Sequence, residues 1–410
     1  MDKSVLKTVA LILCVVILVS VIAIAMALKY TPIPKLAFEG DISNMWEKSD
    51  VRDIRFTYDD GKNSYTGYAT LKVQGTSSLG FAKKNYTIQF YKDEAHTEKM
   101  KIDFGWGAQS KYCLKANWID RTHARNIVTA NLATEVQKRY DVLSQAPCNG
   151  TIDGYPIEIL DNGSFLGLYT LNIPKDEWQF GMDKDNPNHI VLCGENWEDA
   201  ALFRDVPNFE SWGVEVGEES DETLEKFARV VDFVMNSSHE EFREHFEEYI
   251  DLDAMLTYYI IADFAMLHDN MGKNMLMVTY DGVKWYPSLY DLDTSWGTHY
   301  TGEELYDYHN GFVSFDRNLL FERFAESFPE EIENRYFKLR QDLLTKEHVM
   351  QLFNDFQVDI PFFTRVKETV RWGIGKIHLP SDIPGYGYDQ VEEYLDVMIP
   401  RLDEKYAALS

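Results

Sequence analysis

The pattern of apolar and polar positions divides the chain into three unequal parts. Thr8 to Leu28 reads TVALILCVVILVSVIAIAMAL, 21 residues without a charge. At 1.5 Å per residue such a helix spans roughly the ~30 Å hydrocarbon core of a bilayer. A run with no polar face at the extreme N-terminus reads as one transmembrane helix, so residues 1–28 are expected to be a membrane anchor. Lys3 and Lys7 precede it, which keeps the N-terminus cytoplasmic and places the body outside the membrane. The competing reading is a signal peptide cleaved after Ala27, since Ala25-Met26-Ala27 has the small-x-small form. Against it, the run exceeds the roughly 7–15 residues of an ordinary signal h-region. Pro32 and Pro34 then stiffen a linker expected over 29–40.

From 41 to 172 the text is strand-like with one helix. Asp59-Asp60-Gly61-Lys62-Asn63 is turn chemistry, Tyr65 to Gln74 alternates, and Lys84 to Phe90 alternates again. Thr122 to Tyr140 is helical, with Ile127, Val128, Leu132 and Val136 on one face. Pro156–Leu160 and Phe165–Leu171 form a hairpin around Asp161-Asn162-Gly163. From 173 onward a mainly helical unit is expected. It opens with a connection carrying an acidic insertion at 195–222, then has helices over 221–236, 239–249, 252–267, 316–327, 329–343, 346–356 and 388–407. A β-rich first half and a helical second half make an α+β protein of two lobes with a cleft between them.

Composition narrows the partners. With 40 basic and 67 acidic side chains the formal charge is −27, which excludes sequence-independent nucleic-acid binding and favours basic partners. Beyond residue 28 only Cys113, Cys148 and Cys193 remain, which allows at most one disulfide and implies no framework. His239 and His245 stand six apart, not at the four-residue spacing of a zinc helix, and read as a solvated face.

Three stretches carry chemistry. Gly75-Thr76-Ser77-Ser78-Leu79-Gly80 is a small-residue loop between two strands, of the kind whose amides approach phosphate. It lacks the Gly-Lys-Ser/Thr of a P-loop, and an ordinary hairpin loop is the plainer reading. In the strand that follows, Lys84 shares a face with Tyr86, Ile88 and Phe90, so Lys84 is expected on the buried face, in need of an anionic partner. On the helix from Thr122, Arg125, Glu135 and Lys138 are the inward or edge charges; Glu135 is left open between a solvated edge and a pair with Lys84. The third stretch is the most informative. An almost wholly apolar helix ends in His268-Asp269-Asn270-Met271-Gly272-Lys273-Asn274, followed by a tight hairpin and then Tyr290-Asp291-Leu292-Asp293. That is the order of a protein-kinase catalytic loop and its metal-binding aspartate.

Gly75-Thr76-Ser77-Ser78 with Lys83, Lys84 and Tyr86, Leu114-Lys115-Ala116-Asn117 with Asp120, Arg125 and Asn126, Gly167-Leu168-Tyr169, Asp269-x4-Asn274 and Tyr290-Asp291-Leu292-Asp293 together resemble the CotH kinase family, the spore coat protein H group, over about 65–300. The resemblance implies an atypical protein-kinase-like fold and transfer of phosphate from ATP, with Mg²⁺ or Mn²⁺, to serines of secreted or coat proteins. It makes Lys84 the phosphate-pairing lysine and Asp269 the catalytic base. Asn274 and Asp291 become metal ligands with Asp293 in support, while Gly75, Ser77, Ser78 and Glu135 lie on the nucleotide side. Gln74 stands where the family often has Arg, and Thr170-Leu171-Asn172 where it usually has Glu.

The leading expectation is a membrane-anchored extracytoplasmic Ser/Thr protein kinase acting on basic, Ser-rich segments. The rivals are a kinase-like adhesin or coat scaffold, and a metal-dependent glycosyltransferase using Asp291-x-Asp293. If 8–28 is an uncleaved anchor, the protein stays with membranes through a high-salt wash, and external protease digests it beyond residue 30. Mature protein beginning at Leu28 in the medium would mean cleavage instead.

Overall fold

The computed structural model describes residues 33–302, 305–373 and 387–409. The apolar run 8–28 lies outside them, and among the described residues no helix is long and apolar enough to cross a membrane.

Seven strands close into a barrel: β1 (Lys35–Glu39), β2 (Val51–Asp59), β3 (Ser64–Gln74), β4 (Asn85–Tyr91), β7 (Lys111–Lys115), β8 (Gly154–Asp161) and β9 (Ser164–Asn172). The order around it is β1-β2-β3-β4-β7-β9-β8, and a two-stranded ribbon of β5 (Ile102–Asp103) and β6 (Ala108–Gln109) lies between β4 and β7 in the chain. Alternation dictates the wall. Ile54, Phe56 and Tyr58, then Ala69, Leu71 and Val73, then Tyr86, Ile88 and Phe90 all fill the interior. Closure is completed by β1, which pairs parallel with β8 with Lys35 opposite Glu158. Residues 35–39 were expected in a linker; they are a barrel strand because Leu36 and Phe38 bury completely. The β8–β9 turn has Asn162 at φ 47° and Gly163 at φ 80°, the left-handed pair that a tight hairpin demands.

The helix α1 (Arg125–Arg139) leaves the barrel between β7 and β8. Its Ile127, Val128, Leu132 and Val136 belong to the second core, with Phe227, Tyr258 and Leu289, rather than to the barrel that the 41–172 unit implied. That second core surrounds a four-stranded sheet in the order β11-β10-β12-β13, made of β10 (Ile190–Gly194), β11 (Trp212–Val216), β12 (Met275–Thr279) and β13 (Tyr286–Leu289). The segment expected as an acidic insertion therefore supplies a strand, and Trp212 within it is fully buried against Phe203 and Phe227.

The helices follow their caps. Ser220 caps α2 (Asp221–Asn236), Ser238 and Glu241 form a capping box on α3 (His239–Tyr249), and Asp251 caps α4 (Leu252–Phe264). Then come α5 (Leu319–Ser327), α6 (Pro329–Leu339), α7 (Lys346–Val358), α8 (Phe362–Glu368) and α9 (Tyr388–Ala407). Every residue of α4 from Ala254 to Phe264 is buried. It stops short of the expected 267 because Met266 turns left-handed at φ 57°, which redirects the chain into a short turn at Asp269–Met271. Cys113, Cys148 and Cys193 are free thiols, and His245 is exposed beside Glu248.

The link from β7 into α1 is held by one carboxylate. Asp120 accepts from the Thr122 N–H and hydroxyl, the Arg125 N–H at 2.8 Å and the Arg125 guanidinium at 2.5 Å. Both side chains of the ion pair are about 1–2% exposed. Breaking a buried pair costs roughly 3–5 kcal/mol, because the partner charge is left without compensation. Asp120→Ala should therefore lower the unfolding free energy measured by urea titration by an amount in that range, while Asp342→Ala, whose pair with Arg139 is exposed, should change it little.

Candidate functional site

The three chemistry-bearing stretches do not all meet, and closure of the barrel decides which do. Inward-facing residues of β4 face the barrel core, while its outward-facing residues Asn85, Thr87 and Gln89 face the helical half. Lys84 has the inward parity, so its ammonium sits at the barrel mouth, on the Leu79 carbonyl and 4.4 Å from the Trp46 ring centroid. Burial lowers its pKa, and no carboxylate among the described residues pairs with it. Of the two anionic partners expected for Lys84, a carboxylate or a bound phosphate, the carboxylate is not found among the described residues. The outward face of β4 is half-buried as well, and alternation alone cannot tell which face the site uses. Lys83 takes the outward parity; its ammonium donates to the carbonyls of Ala116 and Leu168 and to Glu368 Oε1 at 2.7 Å. Glu135 does not reach Lys84 either: it pairs with His348.

The lysine that meets the acidic loop is Lys115, on the outward face of β7. Its Nζ lies 3.1 Å from Asp291 Oδ1 and 5.6 Å from the centroid of the Tyr290 ring. Burial pulls the Lys115 pKa down, but Asp291 and then Tyr290 outweigh it, so the net shift is upward. At Asp291 burial acts to raise the pKa, and Lys115, Lys175 and Lys273 overcome it to hold the carboxyl low. Asp293 is pushed well above the ordinary carboxylate range, by burial first and by neighbouring Asp291 second. Two adjoining carboxylates with one direct lysine partner are thus held at the foot of the hairpin.

Backbone geometry aims them. Met275 of β12 faces Leu289 of β13, so Asn274 and Tyr290 leave the hairpin at the same end, with Asp291 next. Asn274 at φ 65° and Asp291 at φ 56° are both left-handed, a conformation that Asn and Asp tolerate better than other side chains. The loops are tied from three sides. Asn126 of α1 accepts the Leu292 N–H at 2.8 Å, Asn270 donates to the Tyr290 carbonyl at 2.8 Å, and the Tyr258 hydroxyl donates to the Asn270 carbonyl at 2.6 Å. Asn274 N–H bonds the Gly194 carbonyl at 2.8 Å. That approach needs glycine, since a Cβ on Gly194 would lie 1.9 Å from the Gly272 carbonyl oxygen.

Ser78, Lys83, Asn85, Lys115, Asn126 and Asp293 line one narrow pocket between barrel and helical half. Gly75, at φ 103°, turns the loop into the short helical turn Ser77–Gly80, and a Cβ there would collide with Ser78 Oγ at 1.8 Å. A second cavity, of about 220 Å³, is lined by Trp197, His268, Asp269, Tyr300, Tyr306 and Arg317. Burial raises the Asp269 pKa, Lys273 opposes that, and Asp291 adds to it. Burial also pushes His268 down to about 4, which leaves it neutral. Among the described residues, the group of three metal-capable side chains within 4.8 Å of one another is Cys193, Glu195 and Glu215. Lys175 already neutralises it, 2.7 Å from Glu215 and 3.2 Å from Cys193 Sγ.

Lys115, Lys175, Asn126 and Asn270 are the site residues that pattern reading passed over. Lys115 and Asn126 had a signal, because both stand in the quoted motif runs. Asn270 had none beyond its place inside the loop.

Fold and site together define a mixed α+β protein with an acidic, lysine-lined site between a β-barrel wall and a helical body. The family model described as CotH kinase protein matches residues 71–375, and the chain belongs to the CotH kinase family. At family level that makes it a kinase-like enzyme. A search of curated proteins finds no match.

Lys115 is the direct counter-ion of the acidic loop. Its removal should cost stability, toward the low end of the roughly 3–5 kcal/mol of a broken buried pair, because Asp291 is still 32% exposed. The sign with pH is specific. Without Lys115 the folded-state pKa of Asp291 rises above its unfolded value and that of Asp293, already raised, rises further, so the deficit is full at neutral pH and shrinks as pH falls through the raised values. Thermal melting of Lys115→Met against the parent between neutral pH and pH about 5 measures it; a constant deficit would mean lost packing rather than lost charge.

Proposed function

We propose that the protein is a membrane-anchored extracytoplasmic kinase that transfers the γ-phosphate of ATP to Ser or Thr of secreted, coat or envelope proteins, on a two-lobed kinase-like frame. The observation that carries this reading is the convergence of Asp291 and Asp293 with Lys115 in one site, with the loop bearing Asp269 tied to it through Asn270 and Tyr290. The donor set of Asn274, Asp291 and Asp293 is all hard oxygen, and the like-charge conflict at Asp293 is the kind a divalent cation relieves. These residues fit Mg²⁺ or Mn²⁺, which when bound supplies charge neutralisation on the β- and γ-phosphates.

The chain's own side chains do the rest. Lys115, not Lys84, is placed to pair with phosphate oxygens, being the lysine beside Asp291. Ser78 and the amides of the Gly75 loop border the same pocket. Asp269 takes the proton of the acceptor hydroxyl as that oxygen forms its bond to the γ-phosphorus and the bond to ADP breaks. Its raised pKa makes it a better proton acceptor than an ordinary aspartate. The aromatic cavity at Asp269 is where the acceptor segment enters. A sugar-nucleotide reading is disfavoured, since a closed barrel rather than a βα alternation precedes Asp291.

Asp269 and Asp291 separate cleanly in a test. General-base help is worth typically ~10²–10⁴-fold, so Asp269→Asn should lose most transfer and keep metal–ATP affinity. Asp291→Asn should lose both, with excess metal restoring part of the binding. Lys115→Ala should weaken nucleotide binding and Lys84→Ala should leave it near the parent's. Calorimetric titration of ATP with and without metal, then label transfer to a basic Ser-rich peptide, reads all four. A parent that binds no nucleotide would put the scaffold reading first.

A further inference from the structure

Among the described residues, α8 and the helical turn Thr369–Gly373 that follows it present large apolar side chains to water. Phe362 is 56% exposed, Phe363 74%, Val366 37% and Val370 60%. At helical spacing these positions fall on one arc. The opposite side is fastened to the barrel. Glu158 of β8 accepts from the Thr364 hydroxyl and from Lys367 Nζ at 2.6 Å, Glu368 holds Lys83 and the Leu168 N–H at 2.7 Å, and Trp372 Nε1 bonds the Leu166 carbonyl at 2.8 Å. A short helix held this firmly with its apolar side outward has a partner to meet.

The position of α8 says which partner. Glu158 is also the residue opposite Lys35, and its N–H bonds the Pro34 carbonyl at 2.9 Å. The chain therefore enters the barrel directly beside the residues that anchor α8. Only four residues, five Cα steps, separate Leu28, the end of the uncharged run, from Ile33. At ~3.3–3.6 Å per residue that is at most about 18 Å of chain. Lys35 and Arg371 are exposed at the same corner of a molecule whose formal charge is −27, with Lys367 beside them spent on its pair with Glu158. Apolar side chains flanked by cations suit the boundary between acyl chains and anionic headgroups.

We propose that the outer face of α8 lies in the interface of the lipid bilayer, making a second membrane contact that fixes how the body stands on the membrane. This rests on the reading of residues 8–28 as an uncleaved anchor. Its consequence reaches the site: the helix bears Glu368 on Lys83, and Trp372 meets Trp118 at 5.9 Å, with Lys83 and Trp118 both lining the narrow pocket. A bilayer beneath α8 would brace that wall.

The test uses the full chain reconstituted in vesicles of phosphatidylcholine with a minority of phosphatidylglycerol, made with and without brominated acyl chains. Two variants add one tryptophan each: Phe363→Trp on the proposed face, and Val206→Trp at a comparably exposed site, Val206 being 67% exposed, on the chain segment before β11. Flotation of the vesicles reads the anchor separately. The proposal expects protein to float and brominated lipid to quench the emission added at 363 but not at 206. Flotation without quenching at 363 overturns the proposal and leaves the anchor standing. Failure to float overturns the anchor reading and the proposal with it. Equal quenching at both positions, or a lipid-independent blue shift at 363 that grows with protein concentration, overturns the proposal in favour of non-specific adsorption or a second copy of the chain.

Discussion

Lys115 and Asp291 come from opposite sides of the molecule, one from a barrel strand and one from the foot of a hairpin in the helical half, and meet at 3.1 Å. The pairing constrains everything around it. Three aspartates, at 269, 291 and 293, influence one another's titration, and burial opposes ionising any of them. Opposite charge must be brought in by a rigid support, because a free lysine would relax into water instead. A closed barrel is such a support: β7 is paired on both sides, by β4 and by β9, so the base of Lys115 is held. On the other side, buried α4 and the Asn126 and Asn270 hydrogen bonds hold the loops.

The barrel accordingly has two interiors. Its inner face is an ordinary apolar core of Leu, Ile, Phe and Tyr. Its outer face, where β3, β4, β7 and β9 turn toward the helices, is buried too but polar. There Gln74 bonds Thr87, Asn85 bonds the Ala116 N–H at 2.6 Å, Asn117 bonds Thr170 at 2.6 Å, and Lys83 bonds Glu368. Buried polar groups of this sort cost stability unless every partner is present. They are concentrated on the wall nearest the acidic loop, where each of these bonds is made.

This second buried face explains what was and was not legible in the chain. Helices with caps and apolar faces, such as those at 221–236 and 239–249, were readable to the residue because cap and stripe are local, and 388–407 was readable from its stripe alone. The order of buried helix, Asp269 loop, hairpin and Asp291 was legible for the same reason: all its parts lie within about forty residues of sequence. Lys84 was misplaced because alternation reports parity and not which side of a closed wall the site occupies. Lys115 depends on barrel closure, a long-range property that no local pattern encodes. The strand at 35–39 and α8 escaped because five and seven residues carry too little periodicity, and in α8 the apolar residues point outward.

The charge distribution completes the physical picture. A body of −27 repels an anionic nucleotide at a distance, yet the site itself is ringed by Lys83, Lys115, Lys175 and Lys273. At physiological salt the Debye length is ≈ 8 Å, so the distant acidic surface is largely screened and the nearby lysines are not. Inside the site, therefore, an anionic group would meet cations, and the acidic exterior acts only on what approaches from outside. On the proposed kinase reading, a basic acceptor segment would gain in rate of encounter from that exterior without any change at Asp269. The two signs of charge are thus segregated, with carboxylates in excess over the chain as a whole and lysines gathered around the buried acidic loop.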